Sequence, residues 1–410
     1  MSAAPREASW PQGTLLAAQG MLPTMGVMLL VPVAPLLMRE FGSVRGAAYL
    51  VPAILTVPAL CIALFSVAAG YLGDRLGHRR VLLAALSVYG LAGMAPLVLG
   101  GLPQILISRT ILGICEAAII TLSATLIGDY FSGAERSRWL GLTATFASFS
   151  AMAFAAISGL LADAWGWRGA TSVYGIGLLF IPAMLLLTRA PTEHAPAERS
   201  EAQARFPLKH MALVGLTSLA GSILFYSLAV HQGLALASLG LERSSSIGFL
   251  SAAISFGTPL GSLLFIPMRK VRVSLLLCLS FFILGAALLI IAQAKGFIWF
   301  ASGAFLGLIG AGLLLPTLIS WAMSGLPPCV RGRGTGVFQS TFALGLFASG
   351  LIIPALANNV VDGILPAFGM LGLAGLAMAA FILVRGVVLG RRQSTLTAAD
   401  GDCGEPLISR

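Results

Sequence analysis

Arg109 and Glu116 stand seven residues apart inside one long apolar run, and they are the only two charges expected within hydrocarbon. On a helix that spacing is two turns, which puts both side chains on one face about 10 Å apart along the axis. A charge at such depth costs about 2.5–3.5 kcal/mol even on the lenient insertion scale, so each is a candidate for function. Desolvation favours a neutral carboxyl and an approaching cation favours the ionised one, so a single buried acid can exchange a proton for a cation. Glu116 is thus a candidate for proton coupling, with Arg109 tuning it. A fixed Arg109–Glu116 pair that only locks helix packing would use the same residues. Covalent catalysis is not indicated, since no nucleophile and base occur together in any loop, and the expectation is that the chain is not an enzyme.

A second cluster is the stretch GYLGDRLGHRR, Gly70 to Arg80. Gly70, Gly73 and Gly77 make a tight turn possible, and Asp74, Arg75, Arg79 and Arg80 crowd charge into it. It lies between two apolar runs, so it reads as a short basic loop joining two membrane helices. Charge alone would orient such a loop, but it does not require an acid and three glycines at these spacings.

The elements that must position these groups follow from composition. Mean hydropathy is +0.94, 58% of residues are hydrophobic and 10% are charged, well outside the range of soluble domains. Apolar runs near 15–38, 47–72, 81–99, 104–127, 139–162, 169–187, 211–237, 246–267, 274–293, 298–324, 335–356 and 364–389 are each long enough to cross about 30 Å of hydrocarbon as a helix. The fold expected is an all-α membrane protein of 12 transmembrane helices. A β-barrel is excluded, because no stretch alternates apolar and polar residues.

The net charge of +10 raises nucleic acid as a partner, but its distribution removes that reading. With the N-terminus cytoplasmic, only Arg39, Arg45, Arg168, Arg243 and Lys295 fall outside, and Arg109 lies in a span; every other Lys and Arg is on the cytoplasmic side. Both termini are therefore expected in the cytoplasm, with anionic lipid headgroups as the partner of the basic excess. The short loops suit a bacterial inner membrane. Cys61, Cys115, Cys278, Cys329 and Cys403 show neither metal-ligand spacing nor an even disulfide framework, so no metal or cofactor is expected. The run Gly332 to Gly336 lacks both a preceding strand and a following Lys-Ser/Thr, so it is not a nucleotide loop, and an ion gradient or the solute's own must supply energy.

Between Thr188 and His210 the apolar pattern stops and Pro, Ala and both signs of charge mix, as in a linker. The halves echo each other: Leu112-Gly113 returns as Leu306-Gly307, and Arg136 and Arg138 return as Arg331 and Arg333. The expected organisation is an N-terminal six-helix bundle (1–187), a cytoplasmic linker (188–210), a C-terminal six-helix bundle (211–389) and a cytoplasmic tail (390–410). Proteins built from two such repeats bind small solutes near the midplane, between the halves. Tyr226, His231 and Gln232 on the seventh run, Trp321 on the tenth and Gln339 on the eleventh are candidates to line that cavity. Amides and hydroxyls also hold membrane helices together, and that reading competes for each of them.

The Gly70–Arg80 loop resembles, position by position, the loop between the second and third helices of major facilitator superfamily transporters. The resemblance implies alternating-access transport of a small solute by a monomer, with Asp74 holding the cytoplasmic ends of the halves together in the outward-open state. The helix of Arg109 and Gly113, ending in Gly128-Asp129-Tyr130-Phe131, resembles the family's fourth-helix motif, in which the Arg is linked to proton coupling. Glu116 adds a likeness to the spinster-type branch, exporters of lysolipid-like solutes, whose first helix carries an Asp where this chain offers Gln19 and Thr24. The Gly-Pro and Gly-Gly pairs of the family's antiporters are replaced here by Phe154, Ala155, Ser158 and Gly159. The expectation is proton-coupled export, with import of an organic anion, or solute binding without transport, as alternatives.

Overall fold

The structure is a computed structural model in which residues 10–188, 207–324, 326 and 331–400 are described; most of the expected linker, and the tail from 401, lie outside them. Every regular element among the described residues is helical. The first apolar run is not one helix but three, α1 (Trp10–Ala18), α2 (Met21–Met28) and α3 (Ala34–Phe41). Pro32 and Pro35 explain the break, since neither can donate to the carbonyl four residues before it. The carbonyls around the break are met by other helices instead: the Tyr89 hydroxyl donates to Leu22 at 2.7 Å, the Tyr174 hydroxyl to Gly26 at 3.1 Å and Met25 at 3.3 Å, and the Ser158 hydroxyl to Leu29. Satisfying backbone groups in this way is what permits irregular chain at membrane depth.

The next helices are α4 (Ala47–Leu76), α5 (His78–Met94), α6 (Leu102–Tyr130), α7 (Gly133–Thr171) and α8 (Ile176–Leu187). Gly77 separates α4 from α5 with φ at +93°, a conformation that only glycine adopts cheaply. Within α7 the axis turns at Trp165 and Gly166, where φ reaches +71°. The second half contains α9 (Leu208–Ser238), α10 (Ser244–Ser255), α11 (Gly257–Met268), α12 (Val273–Ala292), α13 (Phe297–Ser324), α14 (Arg331–Asn359) and α15 (Ile364–Asp400), the last running past its expected end. Among the described residues 10 stretches are long and apolar enough to cross a membrane. That differs from the 12 expected runs for two physical reasons. The first run is interrupted, and the fifth and sixth fuse into one stretch, Gly133–Leu187, bent at Gly166.

Buried apolar residues form two clusters, one from Leu15 to Met184 joined by Ala229, Val230 and Leu346, the other from Met211 to Ala379. Phe225 and Tyr226 pack against both. Between them α4 packs on α14 and α7 on α10. The closest approaches lie at the end remote from the Gly70–Arg80 turn: Gly159 against the Ser244 carbonyl, Gly350 against the Thr56 hydroxyl, Gly233 against the Val31 carbonyl, and Asn359 donating to the Tyr49 hydroxyl at 2.8 Å. At the basic end α14 is bare on most sides, with Thr335, Gly336, Val337 and Gln339 exposed. The two clusters therefore close on each other at the far end.

The far end of α3 is held by Glu40, whose carboxylate accepts from Trp167 Nε1 at 2.5 Å and from Arg168 Nη1 at 2.8 and 3.2 Å. Partial burial would raise the pKa of this acid, but the bonds from Trp167 and Arg168 outweigh it and hold the group below the usual carboxylate value. A depressed acid contributes stability above its unfolded pKa and loses it as pH falls through the folded value. Glu40→Gln is expected to cost about 1 kcal/mol at neutral pH. Melting curves of the two proteins should converge only at pH values below the depressed folded pKa of Glu40, where the wild-type carboxyl is also neutral.

Candidate functional site

The pair that motivated the sequence reading lies on α6, enclosed by the first cluster. Arg109 is fully buried and Glu116 is 1% exposed. The two residues are not bonded to each other, whereas ion pairs join His78 to Asp74 and Asp129, Arg168 to Glu40, and Arg243 to Asp163. Arg109 instead donates from Nη2 to the Gly93 carbonyl of α5 at 3.3 Å, with its guanidinium 4.6 Å from the centre of the Tyr174 ring. A desolvated cation over an aromatic face gains about 2 kcal/mol. Glu116 lies against Gly26 of α2, so close that a Cβ at that position would overlap its Oε1. Its Oε1, like Nε and Nη1 of Arg109, is buried with no hydrogen-bond partner.

The site is therefore a buried polar cluster inside the first half, enclosed by α2, α5, α6 and the start of the sixth run. Tyr89 and Tyr174 complete it, with rings 5.9 Å apart, each hydroxyl bound to a carbonyl of the first run. Neither tyrosine stands out in the sequence, and neither does Gly26. Their signal was present only as single polar or small residues in apolar runs. Two turns further along α6, Ser123 donates to Gln19 Oε1 at 2.6 Å, so Gln19 of the first run is drawn to the same helix. Tyr174→Phe keeps the ring under Arg109 but removes the hydroxyl that donates to the Gly26 and Met25 carbonyls. It is expected to cost about 1–2 kcal/mol, read as a lower melting temperature of the purified protein.

The turn between α4 and α5 is organised by a residue of the motif that carried no assigned role. His78 places Nε2 3.0 Å from Asp74 Oδ1 and Nδ1 3.0 Å from Asp129 Oδ2 at the end of α6. Gly73 allows this, because a side chain there would strike the imidazole ring and Leu122. Arg75 lies over the ring of Tyr71 at 4.6 Å. Arg79 leaves the turn altogether, donating to the Thr188 hydroxyl at 3.0 Å and to the carbonyls of Leu185 and Met184 at the end of α8, where a cation suits the helix dipole. Gly70 packs against Thr121, and Arg80 is exposed.

The cavity candidates divide. Tyr226 is half-buried at the junction of the two clusters, its ring 4.4 Å from Phe225 and 5.6 Å from Phe342. Gln339 is exposed on the bare end of α14. His231 and Gln232 are enclosed, and each bonds back to its own helix, His231 with the Ser227 carbonyl at 3.1 Å and Gln232 with that of Ala229 at 3.1 Å. Trp321 pairs edge-on with His210 near the basic end of α9. An apolar groove of about 460 Å³ runs between α9 and α14 along Met211, Gly215, Leu219 and Val337.

Fold and site together define a multi-pass helical membrane protein with an acid and a base sealed in one of two packed cores. The chain belongs to the Major Facilitator Superfamily, whose family model matches residues 16–350. It is similar to the multidrug resistance protein Stp of Mycobacterium tuberculosis, 30% identical over 38% of this chain and 28% of that protein. The bacillibactin exporter of Bacillus subtilis is 28% identical over 37% of this chain and 39% of that protein. The class B tetracycline resistance protein of Escherichia coli is 31% identical over 30% of each. The matched stretches thus cover less than two fifths of those relatives. Among solved structures, the fold is similar to a bacterial homologue of the lysosomal transporter Spinster in its inward-facing, occupied conformation (TM-score 0.71, 17% identity, 91% of this chain and 94% of that one). It is also similar to the inward-open xylose transporter of E. coli (TM-score 0.72, 14% identity, 90% and 94%).

Proposed function

We propose that this protein is a secondary active transporter that moves a small organic solute by alternating access, coupled to protons, with export as its direction. Twelve spans in two six-helix halves, 1–187 and 211–389, rock about a central cavity, the basic end faces the cytoplasm of a bacterial cell, and the protein works as a monomer in the inner membrane without a cofactor. The observation that carries this reading is the unpaired carboxyl of Glu116, held in the family's fourth helix against the broken first helix. A proton taken up there changes the charge beside the broken first run, an irregular segment at membrane depth where a bundle can bend at low cost. Closure at the far end and exposure at the basic end support an inward-facing state. The exporters among the relatives support the direction. Transport rather than catalysis is the work of this fold.

The test is a thermal-shift screen of the purified protein against a panel of lipophilic amines, acids, siderophores and lysolipids at two pH values, repeated with Glu116→Gln. Counterflow in liposomes follows for each ligand found. A stabilising ligand whose effect depends on pH in the wild type and not in the variant is the expected result. Stabilising ligands without counterflow would reduce the protein to a binder.

A further inference from the structure

The imidazole of His78 meets a carboxylate on each side, and this has a consequence that does not depend on the coupling role of Glu116. A neutral imidazole has one N–H and one lone pair, so it can donate to only one of two acids. With both ring nitrogens 3.0 Å from a carboxylate oxygen, the bridge Asp74–His78–Asp129 is complete only when the ring carries its second proton. Three helix ends then share one cation: the close of α4, the start of α5 and the close of α6.

We propose that His78 is a proton-binding latch on the basic face of the first half, closed when protonated and released when neutral, so that the pH of the compartment facing that end sets how tightly Asp74 is retained within its own half. The one element of the functional reading it borrows is that this end is cytoplasmic. A neutral ring gives up one carboxylate, and Asp74, 66% exposed against 32% for Asp129, is the one free to leave.

The surrounding charges leave His78 in control. On α4, Arg75 is turned onto Tyr71. On α5, Arg79 is engaged by the end of α8 and Arg80 is exposed. On α7, Arg136 lies against Gly128, one residue before Asp129. His78 precedes the apolar run that begins at Val81 and is one-fifth exposed, so it exchanges protons with bulk water. Partial burial would push its pKa down; the hydrogen bonds and charges of Asp74 and Asp129 overcome that and raise it above the ordinary histidine value. A raised base keeps its contribution below the unfolded pKa and loses it as pH climbs through the folded one. The latch therefore opens towards alkaline pH.

The experiment is histidine-labelled NMR of the intact protein in nanodiscs; the chain has 4 histidines, and the His78 resonance is the one lost in His78→Gln. Its midpoint is expected above about 6.5, and Asp74→Asn and Asp129→Asn should each lower it. Hydrogen exchange of the 70–80 segment, corrected for intrinsic pH dependence, should quicken by about threefold or more across that midpoint. That step should vanish in His78→Arg, whose charge does not titrate. A His78 midpoint at or below the free value, or identical exchange profiles for wild type and His78→Arg, would overturn the proposal. If His78→Arg does not fold, the two Asp→Asn midpoints decide alone, and no shift in either sinks it. The same step in a Glu116→Gln background separates the latch from the coupling site, since loss of coupling there leaves the latch intact.

Discussion

Glu116→Gln is expected to reduce pH-gradient-driven accumulation of any identified substrate by about tenfold or more while leaving counterflow near the wild-type rate. Gln has the same shape, so the enclosed packing against Gly26 survives, but the side chain can no longer gain or lose a proton. Binding and conformational exchange therefore persist, and only the link to the gradient goes, a separation that population-shift reasoning demands of a coupling residue. Proteoliposomes with an imposed pH gradient, compared with equilibrium exchange at matched pH, read the two quantities. Undiminished gradient-driven uptake in the variant would mean that Glu116 is packing and that the proton travels elsewhere. Gly26→Ala is the companion test, because its Cβ must displace the carboxyl or push α2 away from α6; a defect in coupling without loss of folding places the event at that contact.

The second large effect is expected at the far end. A Cβ on Gly159 would meet the Ser244 carbonyl and come within 2.9 Å of the Ser245 Cα; one on Gly350 would lie 2.8 Å from Thr56 Cγ2. Neither neighbour can yield unless the helices separate. Overpacking of this kind costs about 1–3 kcal/mol, which moves a two-state balance by roughly 5- to 150-fold. Gly159→Leu combined with Gly350→Leu is therefore expected to leave the protein folded but open at that end, with transport cut by about tenfold or more. A cysteine placed at His231, which is 1% exposed in the closed arrangement, reports the opening by its rate of maleimide labelling. Unchanged labelling in a folded double variant would show that these glycines are not what lets the halves close.

Much of the architecture was legible because lipid is an undiscriminating solvent. It demands long apolar runs and internal backbone bonding, so helix positions follow from hydropathy alone, and most observed ends fall within a few residues of the expected ones. The failures have a common cause. The first run is as apolar as the others, and only Pro32 and Pro35 hint that it breaks; hydropathy does not register where a carbonyl will be left over. The charged pair was visible as two charges in oil, yet their partners were not. Arg109 chose the Gly93 carbonyl and the Tyr174 ring over Glu116, a matter of which helix faces which, and spacing along one helix carries no such information. His231 and Gln232 show the reverse limit, since each turns one polar atom back onto a carbonyl of its own helix and leaves the other buried without a partner. His78 was written in the motif, but its meaning required Asp129, 51 residues away in the chain.

One contact ties these parts mechanically. Arg79 fastens the start of α5 to Thr188 and the last carbonyls of α8, the point at which the chain departs toward the second half. A pull on the end of α8 is therefore borne by the residue next to His78. The tether is thereby also a lever.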